Sequence, residues 1–325
     1  MNRFARWLLV IALTSSTTLY AAESERCELV RLSDVGWTDI TMTTAVARLI
    51  LGEIGYRSQI RRMSLPDTYR GLSEGQLDVF LGNWMPAQSE QVQPHLDSGK
   101  IEKLHTNLPT VRYTLAVLAP GYDAGLKDFA DIHRFKDELS GQIFGIEPGN
   151  EGNEMVKGMI RNNVFGLQGF TLVESSESGM LSHVERAQRL GKWAVFLGWE
   201  PHPMNARLKM GYLAGGDDYF GPNYGAAQVN TVARGGFSQQ CPNLAKLFRN
   251  MTFTIAAENH LMSAVLEGNT NRRRVAKQWI EDNPQMVASW LEGVTRYQGG
   301  PISKVFDVSL AKMTDKFDEI AEKNQ

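Results

Sequence analysis

Apolar and polar positions alternate along this chain between a strand-like and a helix-like period. Short apolar runs predict strands at residues 29–32, 77–81, 142–146, 171–173 and 193–197. Residues 111–119 alternate as a half-buried strand does, and 59–63 and 226–233 are further candidates. Between the strands, apolar residues recur at helical spacing in 38–55, 66–75, 87–98, 128–139, 154–164 and 179–190. Strands that alternate with helices are typical of an α/β protein.

The order of these elements indicates two units. Two extended segments, near 110–117 and 220–229, can act as crossovers if the second α/β unit is inserted into the first. From 242 onward the chain reads as helical, in segments 242–251, 260–267, 271–282 and 284–291 and in a polar tail from 302. The cleft between two such units is a site that can close by a hinge.

The N-terminus has the pattern of an export signal. Arg3 and Arg6 precede an apolar run at 7–13, and the small residues Ala21 and Ala22 follow. This arrangement predicts a secretory signal peptide at 1–22, which is removed on export. The apolar run is too short to span a bilayer. An amphipathic membrane anchor is the alternative interpretation of this segment.

Composition narrows the class of protein. The 325 residues are 42% hydrophobic and 22% charged, as in ordinary globular proteins. Without its first 22 residues the chain keeps 32 basic against 36 acidic residues, so no excess of positive charge indicates a nucleic-acid partner. The two cysteines, Cys27 and Cys241, are expected to pair in an oxidising compartment, with two buried free thiols as the alternative. Their separation argues against a metal or redox site.

Three tryptophans follow strand-like apolar runs, each beside a glycine or one residue beyond it. They are Trp37, Trp84 and Trp199. Ligands of open α/β sheets bind at the carboxyl ends of the strands, where these rings are expected. Aromatic faces attract quaternary ammonium cations, which have no N–H to donate. Burial in the core is the alternative for each ring, and it is the interpretation we prefer for Trp279 and Trp290, which lie at helical spacing.

Four motifs that contain or flank these tryptophans resemble the choline- and glycine-betaine-binding proteins of ABC importers. They are SDVGWTDIT at 33–41, DVFLGNWMP at 78–86, GIEPGN at 145–150 and VFLGWEPHPMN at 195–205. The resemblance extends from about residue 27 to about 299. It implies a type II periplasmic-binding-protein fold, in which two crossover strands form the hinge between two lobes. Lobe I then comprises 23–112 and 223–325, and lobe II comprises 113–222.

The resemblance also implies partners and a set of contacts. It predicts a periplasmic protein that serves a membrane permease and an ATPase, with no cofactor, no metal and no enzymatic activity; we expect a monomer. An aromatic box is predicted from Trp37, Trp84, Tyr113 and Trp199, with polar contacts from Asp39 and Asn150. From the residues alone, Asp39 can instead cap a helix and Asn150 can be a left-handed turn residue. Tyr113 can be a packed strand residue.

The choice of ligand rests on charge. Choline carries a net positive charge, whereas glycine betaine and carnitine add a carboxylate that needs Arg, Lys or backbone amides. The aromatic motifs contain no Arg or Lys, and Asp39 would repel a carboxylate, which favours choline. The turn at 149–153 opens a helix and can offer amides to an anion, so betaine and carnitine stay open.

Two other classes of function also stay open. One is an exported enzyme acting on a quaternary amine, although the chain lacks Gly-x-Ser-x-Gly, His-Glu-x-x-His and Cys-x-x-Cys. Glu147 and Glu200 could form an acid–base pair, but solvated or capping carboxylates are commoner. The other class is a sensor module with the same fold.

Overall fold

The computed structural model describes residues 22–268 and 271–302. Two predicted segments lie outside this part of the chain except for one residue each. They are the signal peptide at 1–22 and the tail helix from 302. Within the described residues, none of the helices has the length and apolar character needed to cross a membrane.

The strands form one continuous sheet, and every strand that the sequence predicts belongs to it. A short strand at 210–212 was not predicted. The strands are β1 Leu29–Asp34, β2 Arg57–Arg62, β3 Val79–Met85, β4 Ile101–Leu118, β5 Gln142–Phe144, β6 Thr171–Val173, β7 Val195–Glu200, β8 Met210–Tyr212 and β9 Ala226–Arg234.

The sheet order places two long antiparallel strands between two parallel groups. The order is β2-β1-β3-β9-β4-β7-β5-β6, with β8 paired to β4. Strand β1 is parallel to β2 and β3, and β5 is parallel to β6 and β7. Strands β4 and β9 connect these groups, which confirms the predicted two-lobe α/β fold with two crossover strands. We call the lobe that contains β1 to β3 the first lobe and the lobe that contains β5 to β8 the inserted lobe.

Strand β4 begins at Ile101, well before the alternation at 111–119 predicts. Its register against β9 shifts at three places along this stretch, between Lys103 and His105, Thr106 and Leu108, and Leu108 and Val111. Each irregularity moves the side chains that follow to the other face of the sheet. The period of two is therefore lost from the sequence, although the backbone stays extended.

The helices pack on the faces of this sheet. They are α1 Thr38–Glu53, α2 Leu65–Ser73, α3 Ser89–Asp97, α4 Ala119–Asp123, α5 Glu151–Arg161, α6 Glu177–Arg189, α7 Met204–Arg207, α8 Asp217–Phe220, α9 Pro222–Gly225, α10 Phe237–Gln240, α11 Pro242–Asn250, α12 Ile255–Leu266, α13 Arg272–Asp282 and α14 Pro284–Trp290. The 3₁₀ turns are Glu25–Cys27, Phe129–Phe135 and Val164–Gly166. The helix predicted at 128–139 is present as a shorter 3₁₀ helix at Phe129–Phe135.

The C-terminal helices belong to the first lobe, where α12 and α13 pack against α1. A disulfide between Cys27 and Cys241 ties the start of β1 to the start of α11, with Cα atoms 5.7 Å apart, and confirms the predicted pairing. The two cysteines are 214 residues apart. Closing a loop of that length in the unfolded chain corresponds to about 5 kcal/mol of stabilisation by chain entropy.

Candidate functional site

All six residues that the sequence predicts as ligand contacts line one cavity between the two lobes. The complete lining is Trp37, Asp39, Trp84, Tyr113, Ile146, Asn150, Glu151 and Trp199. Counted with the part that is open to solvent, the empty volume inside this lining is about 290 Å³.

The four aromatic rings come from four different elements. Trp37 directly precedes α1, Tyr113 lies in β4, and the other two lie in β3 and β7. The predicted strands end too early, at Leu81 and Leu197, since β3 continues to Met85 and β7 to Glu200. Trp84 and Trp199 therefore lie within their strands and do not follow them. Tyr113 and Trp199 are direct partners in the pairing of β4 with β7. The sheet itself therefore fixes the spacing of these two rings.

All four rings line the cavity, and two of them meet at a steep angle. The centroids of Trp84 and Tyr113 are 6.2 Å apart, with an angle of 61° between the ring planes. All four rings are buried, with exposed fractions of 4–6%. Their burial equals that of core residues, but all four rings also border the cavity. Such an arrangement presents several ring faces to whatever enters.

Tyr113 is held by the start of α5. Its hydroxyl donates a hydrogen bond of 2.8 Å to Oδ1 of Asn150. The same oxygen caps the helix by accepting from the amides of Gly152 at 2.9 Å and Asn153 at 3.3 Å. Asn150 has a φ of −69°, so the left-handed alternative was wrong; Gly149, with a φ of +84°, takes that conformation. A Cβ atom at Gly152 would lie 2.0 Å from the Tyr113 hydroxyl, so this contact requires glycine.

Asp39 faces the cavity with an unsatisfied oxygen. It is the second residue of α1, and the N-cap position is Trp37, so the capping role considered for Asp39 was wrong. Its Oδ1 is buried and has no hydrogen-bond partner. Burial first, and then the negative charge of Glu177, raise the pKa of Asp39 to about 7. Leaving a buried carboxyl oxygen unpaired is costly, and a bound cation would relieve that cost.

Glu151 is a second carboxyl at the cavity, and the sequence did not predict it. Its Oε2 accepts a 3.2 Å hydrogen bond from Asn150, and its Oε1 lies 3.5 Å from the amide nitrogen of Gln88. Burial first, and then the negative charge of Glu147, raise its pKa to about 7. Acidic residues are common in the first turn of a helix because they interact favourably with the helix dipole. The position of Glu151 in the sequence therefore did not indicate a role in the site. Ile146 was missed because nothing distinguishes it from other core residues.

The surroundings of the cavity are acidic. Glu258 on α12 is buried, and its pKa is raised well above the ordinary range by burial and by the charge of Asp39. None of the lining residues is Lys, Arg or His. The guanidinium of Arg112 lies over the ring of Tyr212 at 4.9 Å, outside this lining. The site therefore suits a cation and offers no positive side chain to an anion.

The two glutamates considered as an acid–base pair have different neighbours. Glu147 accepts a hydrogen bond of 2.7 Å from Nε1 of Trp37, so the solvated role expected for it was wrong. Glu200 lies opposite Arg112 in the backbone register of β7 and β4. Within residues 22–268 and 271–302, no group of three or more His, Cys, Asp or Glu could hold a metal ion.

Two lobes joined by two central strands, with an aromatic cavity between them, define a ligand-binding protein of the two-lobe type. The chain belongs to the OpuAC family, the substrate-binding domain of ABC-type glycine betaine transport systems, whose pattern matches residues 28–282. Members of this family bind a substrate for transport and are not enzymes.

Solved structures and a named relative agree with this membership. The chain is 49% identical to an ABC-transporter choline-binding protein in complex with choline, with a TM-score of 0.84 over 86% of this chain and 96% of that one. It is 47% identical to an ABC-transporter choline-binding protein in an unliganded semi-closed conformation, with a TM-score of 0.79 over 89% and 99%. The glycine betaine/carnitine transport binding protein GbuC of Listeria monocytogenes is 27% identical over 63% of this chain and 67% of its own length.

Proposed function

We propose that this protein captures choline and delivers it to the permease of an ABC importer. The observation that carries the proposal is the set of four rings, Trp37, Trp84, Tyr113 and Trp199, around a cavity that also holds two carboxyl groups. The trimethylammonium head of choline has no N–H, so hydrogen bonds cannot select it. Ring faces attract it by about 0.5–2 kcal/mol each. Micromolar binding corresponds to about −8 kcal/mol, and four rings supply a large part of that.

The acidic residues favour choline over glycine betaine and carnitine. A carboxylate on the ligand would enter a cavity lined by Asp39 and Glu151, with no positive side chain in the lining. The alternative anion site at the start of α5 is weakened, because Asn150 already accepts hydrogen bonds from the amides of Gly152 and Asn153. The similarity to a protein solved with choline points the same way.

The lobe boundaries, the location and the partners belong to the same proposal. We place the first crossover at 112–113, because β4 pairs with β9 up to Arg112 and with β7 from Arg112 onward. The second crossover lies at 222–223, shortly before β9 begins at Ala226. The mature protein is then a periplasmic monomer, exported by the signal at 1–22, that docks on a membrane permease with its ATPase.

Calorimetric titration of the purified mature protein tests this function. The panel is choline, acetylcholine, glycine betaine and carnitine, with ammonium chloride as the control. We expect choline to bind in the micromolar range or tighter and betaine at least tenfold more weakly. Tighter binding of betaine would overturn the assignment of choline, and no binding of any member would overturn the proposed function. Mass spectrometry of the recovered ligand tests the enzyme alternative, since a binding protein returns choline unchanged.

A further inference from the structure

Two carboxylates of the inserted lobe accept hydrogen bonds from the segment that carries Trp37 and Asp39. Nε1 of Trp37 donates to Oε1 of Glu147 at 2.7 Å. The backbone amide of Thr38 donates to Oε2 of Glu177 at 2.8 Å, and the Thr38 hydroxyl donates to Oε1 at 2.6 Å. Charge-assisted hydrogen bonds of this length are among the stronger ones in proteins. Three such bonds converge on two adjacent residues of the first lobe.

The carboxylate of Glu177 is itself fixed by its own lobe. It lies in the first turn of α6, and Nε2 of His202 is 3.1 Å from its Oε1. Nδ1 of the same ring accepts a 3.0 Å hydrogen bond from the amide of Met204, so the ring proton is on Nε2 and points to Glu177. Glu177 and His202 are 6% and 2% exposed. Glu177 is therefore held in place before it meets Thr38.

These contacts can form only when the lobes are together. Trp37 and Thr38 follow β1 in the first lobe, whereas Glu147 and Glu177 follow β5 and β6 in the inserted lobe. We propose that Glu147 and Glu177 are positioning residues, which hold Trp37 and Asp39 in their ligand-binding places and keep the closed form shut over the ligand. Neither residue lines the cavity. The inference rests on the proposed function, since it concerns the same site.

The two carboxylates could act by holding Trp37 and Thr38 through hydrogen bonds, or only by attracting the cation through their charge. The two explanations predict different results for suitable variants. Two negative charges beside a cation site also attract the cation through space, whatever they bond to. Glu147→Gln removes the charge but keeps a carbonyl oxygen that can accept from the Trp37 indole. Glu147→Ala removes both. Thr38→Val removes the hydroxyl that donates to Glu177 and changes no charge. Thr38→Ser is its control, because it keeps the hydroxyl.

Stopped-flow measurement of choline association and release with these variants tests the inference. We expect Glu147→Ala and Thr38→Val to release choline about tenfold faster, with association rates within about twofold of the unmodified protein, because tenfold corresponds to the loss of one such bond. Glu147→Gln and Thr38→Ser should stay within about threefold of the original release rate. The matched control is Glu154→Ala, a carboxylate on the inserted lobe whose side chain is 54% exposed. It should change neither rate.

Three outcomes would overturn the inference. Equal loss in Glu147→Gln and Glu147→Ala would show that charge and not the hydrogen bond acts, and a change confined to the association rate would show steering alone. Unchanged release in both Glu147→Ala and Thr38→Val would show that the contacts do not hold the closed form. The melting temperatures of the ligand-free variants are measured as a control for folding. If Glu147→Ala does not fold, the release rate of Thr38→Val alone tests the inference. Failure of the unmodified protein to bind choline would instead refute the proposed function.

Discussion

Two groups of tryptophans in this protein are equally buried and have different roles. Trp279 and Trp290, on α13 and α14, are 2% and 1% exposed, and their rings stack 5.8 Å apart at an angle of 18°. The indole of Trp290 donates to the carbonyl of Thr252 at 3.2 Å. Trp84 and Trp199 are 4% and 5% exposed, but they face a cavity and not each other. Burial alone therefore does not separate a packed ring from a binding ring.

What separates the two groups is the chemistry around the rings. The rings of the stacked pair pack against each other, and Trp290 also packs against Phe253 at 5.0 Å between ring centroids. The cavity rings leave ring faces free and lie among carboxyl groups, Asp39 and Glu151 above all, with raised pKa values. A ring face that is free, dry and close to a negative charge is poised for a cation. Substitutions in the two groups should therefore affect different properties.

The largest effect is expected for Trp290→Ala. Removing a fully packed indole leaves a cavity in the first lobe and should lower the free energy of unfolding by about 3–5 kcal/mol. Denaturant unfolding followed by circular dichroism measures this loss. Choline affinity of the folded fraction should stay within about threefold. A large loss of affinity with unchanged stability would place Trp290 in the wrong group.

Trp84→Ala should show the opposite balance. Losing one ring of the box should weaken choline binding at least tenfold, since a desolvated cation–π contact is worth about 2 kcal/mol. The loss of stability should be smaller than for Trp290→Ala, because the ring already borders empty space. Calorimetry measures the affinity, with Trp84→Phe as the matched variant that keeps a ring and should lose less. Unchanged affinity in Trp84→Ala would count against the box.

Asp39→Asn tests the charge without changing the shape of the side chain. We expect choline to bind about fivefold to tenfold more weakly, because the cation loses a buried negative partner. Glycine betaine should lose less, since its own carboxylate no longer meets the Asp39 charge. Parallel titrations with both ligands decide the point. If betaine loses as much as choline, the Asp39 charge does not contribute to ligand selection.

The smallest expected effect is a dependence of affinity on pH. The pKa values of Asp39 and Glu151 are raised to about 7, so both groups are partly protonated at neutral pH in the empty protein. Choline has a fixed charge and favours the deprotonated forms. Binding should therefore weaken by roughly fivefold as the pH falls from 8 to 6.

Two further measurements sharpen the effect of pH. The double variant of Asp39→Asn and Glu151→Gln should flatten the profile, and an equally steep profile there would assign it to other groups. Without ligand, the sign is reversed. The folded state binds these protons more tightly than the unfolded one, so their contribution to stability falls as the pH rises from about 4 to about 7. Thermal unfolding across that range measures it.

Most of the fold could be predicted because it depends on periodicity. Most of the parallel strands are short apolar runs between helices, so their succession along the chain could be predicted, although β2 is a polar strand, RSQIRR. Strand β4 could be read only in its second half, because its pairing with β9 shifts register three times. Helix α5 begins at Glu151, earlier than the apolar period at 154–164 shows, because Asn150 caps it. Capping is a contact of one residue and leaves no periodic trace.

Site residues of a distinctive type, such as the tryptophans, could be predicted from the sequence. Contacts between the two lobes could not. Tryptophans near glycines stood out, and the resemblance to the binding-protein family added Tyr113 and Asn150 to them. Nothing in the sequence relates Thr38 to Glu177, which lies 139 residues further along the chain. The first turn of α6 reads as an ordinary acidic helix start. Only the approach of the two lobes brings Glu177 into contact with the segment that carries Trp37 and Asp39.

A crystal structure of the mature protein soaked or grown with choline tests the central claim most directly. We predict the quaternary nitrogen among the rings of Trp37, Trp84, Tyr113 and Trp199, within about 6 Å of their centroids, with its charge beside Asp39. Choline bound elsewhere, with the four rings packed against other side chains and no cavity between them, would contradict this account.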